Sequence, residues 1–225
     1  MPYEWSFGFL LRYTHLLWVG IGYTLAYTLG TVLLGLVVGL VLGLARLSRS
    51  RLLNAPLVAF IEVFRCTPLL VQLVWVYYAL PVILQIWFPG AQIPPAVAAT
   101  LVLSLYTGAF YAEIFRGGIL SIEPGQWDAA RALGLRRWPM MRLVVLPQAI
   151  RRMVPPFMNQ SIIQLKNTSL VSTIAVPDLL YQGTLITADT YRPLETYTAI
   201  ALIYFILLFP ATRLVQWYEH RLART

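Results

Sequence analysis

The sequence predicts an all-α fold: a polytopic membrane bundle of about five transmembrane helices, in a single domain over residues 1–225. Three observations predict it. Hydrophobic residues make up 59% of the chain and charged residues only 12%, the latter about half the share of a soluble domain. Mean hydropathy is +0.69. Apolar runs near the ~20 residues needed to cross a bilayer recur along the chain, and arginines flank them. A soluble core could not hide this much apolar side chain behind so little charge.

The first span runs from about Leu16 to Ala45 and holds no charge. Gly30, Gly35, Gly39 and Gly43 recur along it, mostly four apart, which puts small residues on one face for close helix packing. Arg46, Arg49 and Arg51 close it. The second span covers roughly Pro68 to Trp87, after Glu62 and Arg65. Cys66, the one cysteine, excludes an internal disulfide and reads as a small buried residue. Phe88–Pro95 is an uncharged loop. A third span follows, from about Ala96 to Ala112. An arginine-studded segment, Glu113 to Arg152, leads to a fourth span, Val154 to Val176, whose start Pro155 and Pro156 should interrupt. Pro177 to Leu194 reads as an outer loop with room for a short helix. The fifth span is Glu195 to Thr212, before a basic tail.

The arginines orient the bundle. Arg46, Arg49 and Arg51 follow span one. Arg116, Arg131, Arg136, Arg137, Arg142, Arg151 and Arg152 precede span four. Arg213, Arg221 and Arg224 follow span five. Five spans put all three clusters on one side, the cytoplasm, with the N-terminus outside and the C-terminus inside. The acidic Glu4 and the long first run do not match a cleavable signal peptide.

The cytoplasmic segment is the most informative. Glu123-Pro124-Gly125 reads as a turn, and Gln126 to Leu133 as a short helix. Asp128 is placed in its first turn, where the macrodipole favours an anion. Gly134 is a C′ stop. The helix carries bulky Trp127 and Leu133 outside the membrane, so it needs a partner: lipid headgroups or another protein.

These residues resemble a known pattern. Asp128-Ala129-Ala130, three residues, Gly134, nine residues and Val144-Val145-Leu146-Pro147 match the spacing of the EAA loop of ABC importer permeases. Asp128 for Glu and Val144 for Ile are mild departures. Glu62-Val63-Phe64-Arg65-Cys66-Thr67-Pro68-Leu69-Leu70, Tyr111 to Gly118, Gly125-Gln126-Trp127, Leu146-Pro147-Gln148-Ala149 and Lys166-Asn167-Thr168-Ser169-Leu170 resemble the polar amino-acid branch, the histidine, glutamine and glutamate type. The resemblance runs from about Gly20 to Arg221.

It implies a type I importer in a bacterial inner membrane. A second permease subunit, identical or paralogous, would share the pathway. Cytoplasmic ABC ATPase subunits would dock on Asp128, Ala129, Ala130, Leu133 and Gly134. A periplasmic or extracellular binding protein would deliver an amino acid. The chain has no Gly-x-x-x-x-Gly-Lys-Ser/Thr loop, so ATP hydrolysis is expected on a partner. No catalytic residue, cofactor, metal or nucleic acid is expected; His15 and His220 lie far apart.

Lys166 falls midway along span four, where a lysine costs a few kcal/mol. Two readings are open: contact with a substrate carboxylate, or a structural pair. Asn159, Gln164, Asn167 and Thr168 extend the polar stripe as candidate pathway residues, with interhelical hydrogen bonds as their other use. Glu62/Arg65 and Glu113/Arg116 are spaced for i,i+3 pairing, as interfacial bridges or as a gate. The alternative functions are an ion-coupled secondary transporter, which usually carries inverted repeats, and a membrane enzyme, which would need a reactive cluster. Neither signal is present in the sequence.

Overall fold

A computed structural model describes residues 3–48 and 50–222. Arg49 and Arg224, assigned above to the cytoplasmic clusters, lie outside the described residues. The described residues form helices and turns without strands. A 3-10 helix, Gly8–Tyr13, leads into α1, Thr14–Ala45. Then come α2, Arg51–Cys66; α3, Leu69–Leu84, with a π turn inside it; and α4, Pro95–Leu120. The arginine-studded segment gives α5, Pro124–Ala132, and α6, Arg137–Met140. After a π turn come α7, Leu146–Asn167; a 3-10 helix, Thr168–Ile174; α8, Leu179–Thr190; and α9, Pro193–Leu222.

Among the described residues three stretches are long and apolar enough to cross a membrane: Gly8–Ala45, Pro95–Leu120 and Pro193–Arg221. The α2–α3 pair passes together as a fourth but bends by 105°. The expected fourth span falls on α7, whose 22 residues reach ~33 Å. It is too polar to qualify on apolarity, and only one of its faces is buried against neighbouring helices.

The bend follows from Pro68. A residue before proline is pushed out of the helical region, and Thr67 is extended, at φ −102° and ψ 135°. A break in lipid frees carbonyls that need donors. Gln72 Nε2 donates to Phe64 O and Thr67 O, both at 2.9 Å, and is buried. The sequence reading missed α2 as a separate helix. It also expected Cys66 to be buried; the thiol is exposed at the end of α2 and donates to Glu62 Oε2 at 3.2 Å.

α1 and α4 pack closely through small residues. At Gly39 an added Cβ would stand 2.5 Å from Tyr111 Cβ and 3.0 Å from Gly108 O. At Gly43 it would stand 2.8 Å from Ala112 O. Gly35 packs likewise on Thr107, but Gly30 has nothing within 4 Å and is not part of the seam. Arg46, at the inner end of α1, pairs with Glu113 of α4. Arg116 adds a second contact to Glu113 at 3.8 Å, and Arg65 meets Glu62 at 2.8 Å.

Pro155 and Pro156 do not interrupt α7, which runs through them. Their missing N–H groups leave the Arg151 and Arg152 carbonyls without helical partners, at residues that are exposed. The helix ends at Asn167, earlier than expected, and tightens into the 3-10 segment. There Thr168, Val171 and Ile174 are buried at a spacing of three, the period of a 3-10 helix. Four hydroxyls, of Thr168, Ser169, Ser172 and Thr173, each donate to the carbonyl three residues back.

Gly39→Leu should force α1 off α4 and cost about 1–3 kcal/mol. Thermal unfolding in detergent would show it as a lowered midpoint. Gly30→Ala should leave the midpoint level or raise it; equal losses from both would remove the seam from the account.

Candidate functional site

α7 carries most of the polar residues singled out above, and the structure divides them between two faces. Gln160, Gln164 and Thr168, four apart, turn inward. Gln164 is 0% exposed, and its Nε2 donates to Thr31 Oγ1 at 2.8 Å. Thr31 in turn donates to Tyr27 O. Ser161 Oγ and Tyr111 OH lie 2.7 Å apart, and the Phe157 ring packs edge-on against Tyr111 and Phe115. These are helix-to-helix contacts. Gln164 and Thr168, expected to line a pathway, are sealed inside the chain, because hydrocarbon drives uncharged polar side chains to find partners on neighbouring helices.

The opposite face is open. Arg152, Pro156, Asn159, Ile163 and Lys166 are all exposed, alternately four and three residues apart, so they form one row along the helix. Arg152 donates to Ser121 O at the inner end. Asn159 Nδ2 donates to Glu219 Oε1 of α9 at 3.1 Å. Among the described residues no carboxylate lies within ion-pairing distance of Lys166. It occupies the last turn of α7, where the helix dipole favours a cation. Gln164, two residues before it, meets Thr31 just past the middle of the 32-residue α1. Asn167 is half-buried beside it.

Near the inner end of this row is a cleft of about 450 Å³, lined by Arg65, Phe110, Glu113, Arg152 and Pro156 among others. The Arg65 guanidinium sits 5.7 Å from the Phe110 ring centre. Three helices therefore bring charged groups to one end of the open face.

α5 is capped as the sequence predicted. Gly134 adopts φ +74°. Its N–H donates to Arg131 O at 2.9 Å, and Leu135 N–H to Ala130 O at 3.1 Å, the paired bonds of a Schellman motif. Two expectations change. Asp128 is not in the first turn, because the helix starts at Pro124, a residue suited to that position; it pairs with Arg131 at 2.9 Å instead. Ala130 is 2% exposed. It seats α5 on the chain's own core with Ile122, Met140, Val145 and Ala149. The outward residues are Asp128, Ala129, Leu133 and Gly134, with Leu133 80% exposed.

Sequence reasoning also missed the outer joint. Asp178 is buried and caps α8: Tyr181 N–H donates to its Oδ1 at 2.9 Å and Tyr204 OH to its Oδ2 at 3.3 Å. Leu179 N–H donates to Thr24 Oγ1 at 3.2 Å. The signal was an Asp just ahead of an apolar run, the usual N-cap pattern.

Known proteins share this architecture. The chain is 42% identical over 169 residues to the glutamine transport system permease protein GlnP of Escherichia coli (strain K12), covering 75% of each. It is 38% identical over 185 residues to the octopine transport system permease protein OccM of Rhizobium meliloti, covering 77% of this chain and 74% of that one. A chain of a solved amino acid ABC transporter crystallised with histidines superposes with a TM-score of 0.89 at 36% identity, over 97% of this chain and 100% of that one. The MetNI methionine ABC transporter shares the fold, at a TM-score of 0.69 and 24% identity over 92% of this chain and 98% of that one. With residues 32–224 also matching the binding-protein-dependent transport system inner membrane component, the chain belongs to that family.

Proposed function

We propose that the chain is the permease subunit of an ATP-driven importer of polar amino acids. The observation that supports this reading is the open row of α7, which carries an exposed lysine with no carboxylate within ion-pairing distance among the described residues. Relatives named as glutamine and octopine permeases support the substrate class. A cation deep in the membrane is costly to leave facing lipid. A water-filled path shared with a second permease subunit, identical or paralogous, removes that cost. Lys166 then holds the carboxylate that every amino acid carries, and Asn167 and Asn159 supply polar groups along the path. The hold need not be tight, since cargo must leave.

ATP hydrolysis belongs to separate cytoplasmic ABC ATPase subunits. They dock on the outward face of α5, through Asp128, Ala129, Leu133 and the turn at Gly134, while Ala130 anchors the helix to its own domain. A periplasmic or extracellular binding protein delivers the cargo. The N-terminus is outside and the C-terminus cytoplasmic, so a reporter fused after the last residue should read cytoplasmic.

Two variants test the reading. Lys166→Met keeps length and removes charge. A hydrogen bond to a charged group contributes about 1.5–3 kcal/mol, so uptake efficiency should fall roughly tenfold to a hundredfold in a complex that still assembles. Uptake at the parent rate would make the lysine structural. Ala129→Trp places bulk on the outward face of α5 without touching the core. It should lower ATP-driven uptake while the protein still inserts. Undiminished coupled uptake would assign α5 to the lipid surface.

A further inference from the structure

The row that ends α7 continues beyond it. In a 3-10 helix, residues three apart eclipse one another and stand about 6 Å apart along the axis. Lys166, Ser169 and Ser172 are spaced by three across the start of the 3-10 segment, so the two serines extend the row outward from the lysine. Both are half-buried, whereas Thr168, Val171 and Ile174, about 120° away round the 3-10 helix, are shut in the core.

The chemistry of these hydroxyls is fixed by what their protons do. Ser169 Oγ donates to Lys166 O at 2.8 Å, and Ser172 Oγ donates to Ser169 O at 2.7 Å. A hydroxyl whose proton is committed to a carbonyl still has lone pairs and acts as an acceptor. The row therefore presents one cationic donor followed by two acceptors. A ligand that complements both carries an anion and a cationic donor close together. An α-amino acid zwitterion has that form, and a simple carboxylate lacks half of it.

We propose that Ser169 and Ser172 form an acceptor shelf for the cargo's α-ammonium, outward of Lys166. This rests on the reading of Lys166 as the carboxylate contact. It adds a reason for the 3-10 geometry: a continued α-helix would carry the next hydroxyls about 60° off the row at each step of three.

The test uses the assembled transporter with Cys66→Ala and single cysteines at Ile163, Ser169, Ser172 or Thr168. Ile163 lies on the open row and leaves Lys166 in place; Thr168 is the buried control. A membrane-impermeant thiol reagent should label Ile163→Cys, Ser169→Cys and Ser172→Cys, but not Thr168→Cys. A mixture of the common L-amino acids should slow labelling at Ser169→Cys and Ser172→Cys, and a mixture of acetate and propionate should not. Labelling at Ile163→Cys alone would overturn the shelf and leave the pathway face standing. Labelling at none of the three would overturn both. Labelling at both serine positions that amino acids do not slow, or that carboxylates slow equally, would overturn the ammonium assignment.

Discussion

A polar side chain placed in hydrocarbon must find a partner or water, and α7 is built around that constraint. Among the described residues it is the one long helix that is too polar to cross a bilayer unaided. Its inner face meets part of the requirement with protein, Gln164 Nε2 on Thr31 and Ser161 on Tyr111, while Gln160 Nε2 and Gln164 Oε1 have no protein partner. Its outer face meets part of it with Ser121 and Glu219, and leaves Lys166 open. The same constraint recurs wherever the backbone breaks. Gln72 serves the carbonyls at the α2–α3 bend, and Asp178 serves the first turn of α8. In each case a side chain does what water would do in a soluble protein.

Close packing makes this economy of partners workable. Hydrocarbon offers no hydrophobic drive to bring helices together, so association rests on contact and on hydrogen bonds. Small residues of α1 let α4 approach until backbone atoms nearly touch at Gly39 and Gly43. Thr31 and Tyr111 lie on these two helices, and both reach α7. Arg46 and Glu113 tie the inner ends. The rigid pair thus holds one face of α7 and leaves the other for a neighbour. α5 is fastened at the inner end through Ala130, and Gln148 of α7 reaches Gln126 of α5 at 3.2 Å. A push on α5 therefore reaches the helix that carries Lys166.

Much of this was legible in the sequence. The apolar runs gave three spans, and Gly134 gave the helix stop, because these signals depend on one residue or one run. The pair of Glu62 and Arg65 also follows from spacing alone. What the sequence could not resolve was direction. Asn159 and Gln160 are neighbours with similar polarity, yet one faces out and the other in. Helical phase decides that, and spacing alone does not say which side of the helix meets the bundle. The change of period at Thr168 shifted the later residues. Ala130 looked free to meet a partner because alanine is compatible with either side of a short helix. Thr67-Pro68 did signal a break, but the apolar run on each side hid how sharp it would be.

The central claim is that the open row of α7 faces a cargo path and not lipid. A cryo-electron microscopy reconstruction of the whole transporter, with its amino acid trapped, tests it most directly. The account predicts that Asn159, Ile163 and Lys166 line a cavity between two permease subunits, with the cargo carboxylate within hydrogen-bonding distance of Lys166 Nζ. Acyl chains packed along that row, or cargo held elsewhere with Lys166 paired to a protein carboxylate, would contradict it.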